Sequence, residues 1–444
     1  MALSRRRVLL AALPLLVATG CAYYNGLYNA RQLAGEARRA EREGRRAEAR
    51  SLWSRAATKA ESVAVRFPTS KWRDDALLLQ GQALLRIDAC TRAVAPLRLA
   101  ADSSPDHGIR NEARIGLGRC RLFMREPAVA AVALSEVLPD GDSLAIDRAL
   151  YWRGQAWLDL GQPAAALEDL ERTSHPDAVF PLAVALTRLE RGAEAAAALA
   201  SRLGRAYQEQ GWLGTLDTVG RKHPAMAGEL VEQLTLREDL TVGQRARLLV
   251  ADGERWIAAR DTATAVERFR AARDIARDSI EGRVARAWLG VLGVRAAERL
   301  SAVDSLHAEL SAAVQQGGRP VQIAGRITGI LRRADSLLEL PAADELQLFI
   351  VAEQLRDSAH AVPLAGRLFT EIATRYPESV LAPKALLAAA QLRLPGADSL
   401  IEVVRTRYAG SVYARALTGD AGDRYQAVED SLRALLAPRR GRTP

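Results

Sequence analysis

The five histidines are the side chains best suited to metal binding or to proton transfer near neutral pH. None has a second histidine or a cysteine at the spacing of a metal site, and most adjoin turn residues. They are His107, His175, His223, His307 and His360. No phosphate-binding loop, nucleophile elbow or His-Glu-x-x-His helix occurs in the sequence. We therefore predict turn or surface roles for the histidines, and neither a catalytic site nor a bound metal or cofactor.

Three further patterns have the residue types of a site without its spacing. Gly116-Leu117-Gly118 lacks the third glycine and the preceding strand of a dinucleotide site, so we assign it to helix packing. Asp140-Gly141-Asp142 lacks the other ligands of a calcium loop and indicates a turn. Carboxylates are plentiful, as in Arg73-Asp74-Asp75. A paired acid–base site therefore stays open on sequence alone, with solvated charge as the simpler interpretation.

The first twenty residues have the three parts of a secretory signal peptide. Arg5-Arg6-Arg7 forms the positive start, and the apolar run 8–17 follows it. That run is too short to remain in a bilayer as a spanning helix. Ala18-Thr19-Gly20 then places three small side chains directly before Cys21. The pattern predicts export and cleavage at this point.

A cysteine after small residues resembles the lipobox of bacterial lipoproteins. The resemblance implies that the Cys21 thiol is diacylglycerylated and that the chain is cut just before it, which would tether the protein to a membrane. Lipoproteins usually have leucine three residues before the cysteine, where this chain has Ala18, and ordinary secretion with a free Cys21 is the alternative. By the sorting rule of some Gram-negative bacteria, Ala22 after the cysteine favours outer-membrane delivery.

Composition predicts an all-α protein. Hydrophobic residues make up 49% of the 444 residues and aromatic residues only 5%. No run of β-branched residues in strict alternation predicts a strand. The net charge of +9 falls by three to +6 when Arg5-Arg6-Arg7 leaves with the signal peptide, and arginine elsewhere alternates with acidic residues. Because a compact basic patch with interleaved aromatic residues is missing, we do not expect nucleic acid as a partner.

One spacing recurs along the chain. Gly81 is followed by Ala93 after 12 residues, by Leu97 after 16 and by Pro105 after 24. We predict that Gly81 and Ala93 lie where two helices cross closely, and that proline ends the second helix because it has no N–H donor. Asp88 stands in the turn between the two helices, where it could cap the second one.

Glycine and alanine recur at the same two positions in three further copies, and we assign them to the same crossing. The pairs are Gly118 with Ala130, Gly154 with Ala166 and Gly253 with Ala265. This spacing resembles the tetratricopeptide repeat (TPR). The resemblance implies stacked helix–turn–helix pairs in a TPR-like α-solenoid, a right-handed superhelix whose concave surface holds a peptide or a helix of another protein.

A second sequence motif, which we call the Aromatic-Pro-x-Ser phrase, lies between predicted helices. Arg66-Phe67-Pro68-Thr69-Ser70 recurs as Arg375-Tyr376-Pro377-Glu378-Ser379 and, without proline, as Arg407-Tyr408-Ala409-Gly410-Ser411. It resembles the joint in outer-membrane TPR lipoproteins of the BamD kind and in Tol-Pal proteins of the YbgF kind, where proline ends one helix and serine caps the next. We predict a signal peptide (1–20), an N-terminal TPR array (21–205), a divergent helical region (206–345), C-terminal BamD-like repeats (346–436) and a disordered tail (437–444).

Cys90 and Cys120 are the two cysteines after Cys21. The repeat places Cys90 near the start of one second helix and Cys120 late in the next first helix, and these helices run antiparallel as neighbours. An exported chain matures where disulfides persist, so a Cys90–Cys120 bridge is one interpretation. Two buried thiols that act as small apolar residues are the other.

The sequence thus predicts an outer-membrane lipoprotein that faces the periplasm and acts as a scaffold for other envelope proteins or peptides. The resemblance implies BamD-like barrel assembly or Tol-Pal-type coordination. The alternative is an accessory lipoprotein of a secretion, gliding, murein or polysaccharide machinery with a cryptic site in residues 206–345. A small-molecule-binding lipoprotein would need a closed apolar cavity, which open solenoids seldom offer.

Overall fold

The computed structural model describes residues 26–315, 321–419 and 422–440. Every regular element in these ranges is a helix and no strand occurs in them, so the predicted all-α class is confirmed. The predicted signal peptide and Cys21 lie outside the described residues. No helix within these ranges has both the length and the apolarity needed to cross a membrane.

The chain divides into two compact units, residues 1–223 and 224–444. The first unit contains α1 (26–42), α2 (Arg46–Arg66), α3 (Arg73–Arg86), α4 (Cys90–Ser103), α5 (His107–Phe123), α6 (Pro127–Ser135), α7 (Ser143–Asp159), α8 (Pro163–Arg172), α9 (Val179–Arg188), α10 (Gly192–Ala200) and α11 (Glu209–Lys222). The second unit contains α12 (Pro224–Thr235), α13 (Val242–Ala258), α14 (Thr262–Ile275), α15 (Ile280–Ala296), a 3-10 turn (Leu300–Ala302), α16 (Val303–Gln315), α17 (Val321–Glu339), α18 (Glu345–Asp357), α19 (Val362–Arg375), α20 (Leu381–Gln391), α21 (Ala397–Arg407), α22 (Val412–Ala416) and α23 (Gly422–Arg440).

Packing within each unit follows the order of the chain. In the first unit each helix from α2 to α9 packs against the next one. In addition α3 contacts α5, α5 contacts α7 and α7 contacts α9. These four helices therefore form one layer, which we call the odd layer. The second unit repeats this alternation in α13, α15 and α17, so each unit by itself contains a TPR-like array of helix pairs.

The division after residue 223 differs from the predicted domain limits. The predicted limits at 205 and 345 have no counterpart in this two-way division and remain predictions. At the carboxyl end, α23 runs to Arg440 and so extends into the predicted tail, while residues 441–444 lie outside the described ranges.

The turn inside each helix pair has one conformation throughout the repeats. The residue seven positions after the repeat glycine has a left-handed backbone, with φ of 62° at Asp88, 63° at Arg125, 73° at Gly161 and 65° at Arg260. The next N–H donates to the carbonyl five residues earlier, as from Ala89 to Leu84 at 3.0 Å. This pairing is the Schellman motif, which satisfies carbonyls at the end of the first helix.

The structure corrects the predicted role of Asp88. Helix α4 begins after Ala89 without a side-chain cap, and the Asp88 carboxylate instead lies 3.4 Å from Arg50. Asp88 thus contributes its left-handed backbone to the turn. Of the four turn residues, only Gly161 is a residue type that predicts a left-handed backbone from sequence, because glycine adopts this conformation without strain from a Cβ atom.

We expect Arg125→Gly to raise the free energy of unfolding by about 0.5–1 kcal/mol. Loss of the Cβ atom relieves a clash that costs about 1–2 kcal/mol. The greater flexibility of glycine in the unfolded chain offsets part of this gain. The Arg125 side chain is exposed, so its removal costs little packing. Chemical denaturation followed by circular dichroism measures the change. The matched variant Gly161→Ala introduces the same clash and should lower stability. Equal losses in both variants would contradict this account.

Candidate functional site

The repeat glycines make room for the large apolar residue that follows 16 positions later. A Cβ atom at Gly118 would lie 2.5 Å from Leu134, one at Gly154 2.7 Å from Leu170 and one at Gly253 2.8 Å from Phe269. Gly81 meets Leu97 in the same way. The close contact is thus between a glycine and a large side chain of the paired helix, whereas the sequence predicted only that the helices cross closely at the glycine and the alanine.

The alanines 12 positions after these glycines are all fully buried. They are Ala93, Ala130, Ala166 and Ala265. Leu97, besides filling the space at Gly81, lies 3.1 Å from the Cβ position of Gly116 on α5. It therefore joins one helix pair to the next. All these residues build the array from inside and are not available for contact with another protein.

Two further copies of the repeat have alanine where the others have glycine. Ala183 is followed after 16 residues by Leu199, and both are fully buried. Glu190, seven residues after Ala183, has a φ of 61°, and the N–H of Arg191 donates to the carbonyl of Leu186 at 2.9 Å. Ala37, Gly44 and Trp53 keep the same spacing in α1 and α2. A search anchored on glycine misses both copies, because the packing requires a small residue and not glycine itself.

A buried ion pair links α7 and α8, the helix pair that contains Gly154. Both Arg153 Nε and Nη2 donate to the Asp169 carboxylate, at 2.7 and 2.6 Å. The Trp157 Nε1–H donates to the same carboxylate at 3.1 Å, and Arg153 Nη1 donates to the Ser135 hydroxyl on α6 at 2.9 Å. The Asp169 side chain is 3% exposed, so this arginine and this tryptophan neutralise and solvate a carboxylate that water does not reach.

The copy at Gly253 has the same pair with its charges exchanged. Asp252 occupies the position of Arg153, one before the glycine, and Arg268 occupies that of Asp169, 15 after it. Arg268 Nε lies 2.9 Å from Asp252 Oδ2 as an ion pair without hydrogen-bond alignment, and Arg255 donates to Asp252 Oδ1 at 2.7 Å. Trp256, which corresponds to Trp157, faces a cation in place of a carboxylate. Its buried Nε1–H accordingly has no acceptor among the described residues.

These charges also bear on the predicted middle region, 206–345. Asp252, Arg255 and Arg268 are polar groups that converge there, and the first is fully buried. Because they pair with one another, they contribute to helix packing and offer no open chemistry. Two hollows of about 900 and 980 Å³ lie further along the second unit, among residues 345–435. Within the described residues no group of three or more His, Cys, Asp and Glu side chains is placed to hold a metal ion.

The two cysteines meet between α4 and α5. Both side chains are buried, and the two thiols lie close enough for each to shift the pKa of the other. Burial raises the pKa of both thiols, which keeps them protonated. The structure holds them as free thiols in contact, and the predicted bridge remains a prediction.

The Aromatic-Pro-x-Ser phrase forms one turn at each of its three positions. The serine hydroxyl accepts a backbone N–H two residues later at the first two, from Trp72 to Ser70 at 3.3 Å and from Leu381 to Ser379 at 3.0 Å. Ser411, in the copy without proline, accepts from Ala414 and is a true N-cap of α22. In the proline-containing copies serine therefore stabilises the turn and does not cap the helix, which corrects the predicted role.

The odd layer carries a row of polar side chains that link neighbouring helices. Asp75 on α3 pairs with Arg31 on α1. Glu112 on α5 pairs with Arg148 on α7 and lies 3.4 Å from Gln82 on α3. These contacts lie at the partly exposed surface of the first unit, where another protein can reach them.

Beside this row lies an aromatic cluster. Trp152 and Tyr151 on α7 are in edge contact, with ring centroids 4.9 Å apart, and Tyr151 stacks on His175 at 3.7 Å. Burial raises the pKa of Tyr151 to about 12 and lowers that of His175, so both are neutral at pH 7. His175 lies in the turn between α8 and α9, and there it packs against the odd layer.

No protein-family model matches the chain, and no curated protein matches it in sequence. Several solved structures have a similar course of helices. A tetratricopeptide repeat protein from Parabacteroides merdae is 16% identical, with 56% of this chain and 93% of that one covered and a TM-score of 0.38. A Rap protein complexed with the competence and sporulation factor is 13% identical, with 74% and 98% covered and a TM-score of 0.28. The Cut9–Hcn1 hetero-tetramer of the APC/C gives 13% identity, 88% and 99% coverage and a TM-score of 0.28.

Proposed function

We propose that this chain is a protein-binding scaffold of the bacterial envelope, anchored in the outer membrane by a lipid on Cys21 and facing the periplasm. The observation that carries the scaffold part is the array itself. Its large apolar side chains are buried in the packing of the helix pairs, while the odd layer keeps partly exposed polar and aromatic side chains on its surface. Surfaces of this kind hold extended segments or helices of other proteins.

The location rests on the sequence before residue 22. A positive start, an apolar run of about ten residues and three small residues before Cys21 are the features that signal peptidases of lipoproteins use. By resemblance to BamD-type and YbgF-type proteins, we propose partners among the envelope proteins that assemble barrels or coordinate the Tol-Pal system. Two or three acyl chains would hold the scaffold at the membrane where those partners lie.

Metabolic labelling with an alkyne palmitate analogue tests the anchor. We expect label on the full chain expressed in a Gram-negative host, fractionation with the outer membrane, and loss of label in Cys21→Ser. Cys90→Ser is the matched control, because its thiol is buried and should leave labelling unchanged. Unlabelled wild-type chain that is nevertheless exported would contradict the lipid anchor and leave ordinary secretion.

Crosslinking in intact cells tests the scaffold. A photoreactive amino acid placed at Gln82 on the odd layer should capture envelope proteins, and the same residue at Arg98 on the exposed side of α4 should capture fewer of them. Equal capture at both positions, or none at either, would contradict the assignment of the odd layer as the binding surface.

A further inference from the structure

One cation on the odd layer has no anionic partner. Arg119 on α5 is half-buried, and among the described residues it forms no ion pair or hydrogen bond. Its guanidinium carbon lies 4.8 Å from the centroid of the Trp152 ring. Burial lowers the pKa of Arg119, and two further cations, Arg86 and Arg148, lower it in addition. The protein therefore holds a charge where burial and neighbouring charges both disfavour it.

The neighbouring arginines differ from Arg119 because each of them has a carboxylate. Arg148 pairs with Glu112, and Arg86 lies 3.6 Å from Glu41. An unpaired and partly desolvated charge costs free energy that packing does not return. A guanidinium in contact with an aromatic face keeps its N–H groups at the edge free for a planar acceptor. An anion that binds at this point of the odd layer would therefore offset that cost.

The surface around Arg119 is open and partly apolar. Phe123 follows it by four residues on α5, on the same face of the helix, and its side chain is 60% exposed. Leu122 beside it is half-buried. A ligand that reaches Arg119 will therefore also contact an aromatic side chain about one helical turn away.

We propose that Arg119, with Arg86 and Arg148 beside it and Phe123 one turn away, is a site for a carboxylate of a partner protein that carries an apolar residue next to it. This inference rests on the proposed scaffold function and names the chemistry of the partner. A carboxylate matches the guanidinium fork through two parallel hydrogen bonds, which the compact ammonium of lysine cannot provide. Both an Asp or Glu side chain and a free chain end supply that group.

Two pools of nonapeptides with randomised sequence, one ending in a free carboxylate and one in an amide, distinguish these sources. Each pool is passed over the immobilised full chain, and the retained peptides are sequenced. Enrichment of Asp or Glu beside an apolar residue in both pools assigns a side-chain carboxylate. Retention confined to the free-acid pool assigns a chain end. Either result supports the site.

Variants then locate the binding. We expect Arg119→Met to weaken the best retained peptide at least tenfold, Arg119→Lys to weaken it less, and Arg98→Met, which removes an exposed arginine from α4, to leave it unchanged. Arg119 has no carboxylate partner among the described residues, and methionine keeps an apolar contact with the Trp152 ring. The melting temperature of Arg119→Met should therefore change little, which separates lost binding from lost folding.

Three outcomes overturn the proposal. The first is retained peptides without acidic preference, and the second is unchanged affinity in Arg119→Met; either leaves the scaffold function standing, because peptides still bind. The third is Arg119-dependent retention of sheared DNA or of soluble murein fragments without any peptide, which would assign an anionic polymer. If the proposed scaffold function itself fails, the crosslinking at Gln82 captures no envelope protein, whatever the peptide pools give.

Discussion

Arg153→Asp is expected to lower the free energy of unfolding by about 3–5 kcal/mol, because it leaves the buried Asp169 carboxylate without its partner and beside a second negative charge. The wild-type carboxylate receives two hydrogen bonds from Arg153 and has a side chain only 3% exposed, so water cannot replace the lost partner. Urea denaturation followed by circular dichroism measures the loss.

The exchanged double variant Arg153→Asp with Asp169→Arg provides the sharper test. The Gly253 copy already carries Asp252 and Arg268 at these positions, so the helix pair accommodates the opposite arrangement. We therefore expect the double variant to recover most of the loss. The free energy of unfolding of the double variant should remain about 1 kcal/mol below that of the wild type, because the Trp157 Nε1–H loses its acceptor. Trp256 in the Gly253 copy likewise has no acceptor among the described residues.

An exposed pair serves as the control for this charge reversal. Arg191, the residue before α10, and Glu194 in the first turn of that helix form an exposed ion pair. Arg191→Asp should change stability far less than Arg153→Asp does. A double variant no more stable than Arg153→Asp alone would show that the two copies are not equivalent at these positions.

Gly118→Ala is expected to lower the free energy of unfolding by about 1–3 kcal/mol, although alanine is the better helix former. The new Cβ atom would lie 2.5 Å from Leu134 Cγ, and Leu134 is fully buried and cannot move aside freely. Thermal and chemical denaturation measure the change. The double variant Gly118→Ala with Leu134→Ala should lose less than the sum of the single variants, because truncation of leucine removes the clash.

Gly214→Ala is the matched control, since Gly214 lies within α11 and a Cβ atom there would meet nothing within 4 Å. We expect this variant to gain about 0.5–1 kcal/mol from helix propensity alone. If both variants gained stability, Leu134 would not restrict the side chain at position 118, which would contradict this account.

The sequence predicted the repeat because the packing requirement is local in the chain. A small residue and the large residue that fills its space are always 16 positions apart, so glycine and leucine at that spacing mark the helix pair without reference to the rest of the fold. The reversed charges, Arg153 with Asp169 and Asp252 with Arg268, obey the same register. These two ion pairs could have been found in the sequence by aligning the two copies on their glycines and comparing the residue one position before the glycine with the residue 15 positions after it.

Other features have weaker signals in the sequence. Ala37 and Ala183 keep the repeat register, yet alanine is so common in this chain that neither stands out. Left-handed turn residues such as Arg125 are also hidden, because their backbone follows from the Schellman motif at the helix end and not from the residue type.

By itself, the sequence determined that the chain is helical, that its helices pair about every three dozen residues, and at which small residues the helices of a pair come close. Only the tertiary structure decided which residues of different pairs become neighbours on the odd layer. Arg119 reaches Trp152 on the next first helix, 33 residues on, because α5 packs against α7. That contact depends on the angle and distance at which one helix pair packs against the next. Many side chains determine this packing together, so no single residue spacing predicts it.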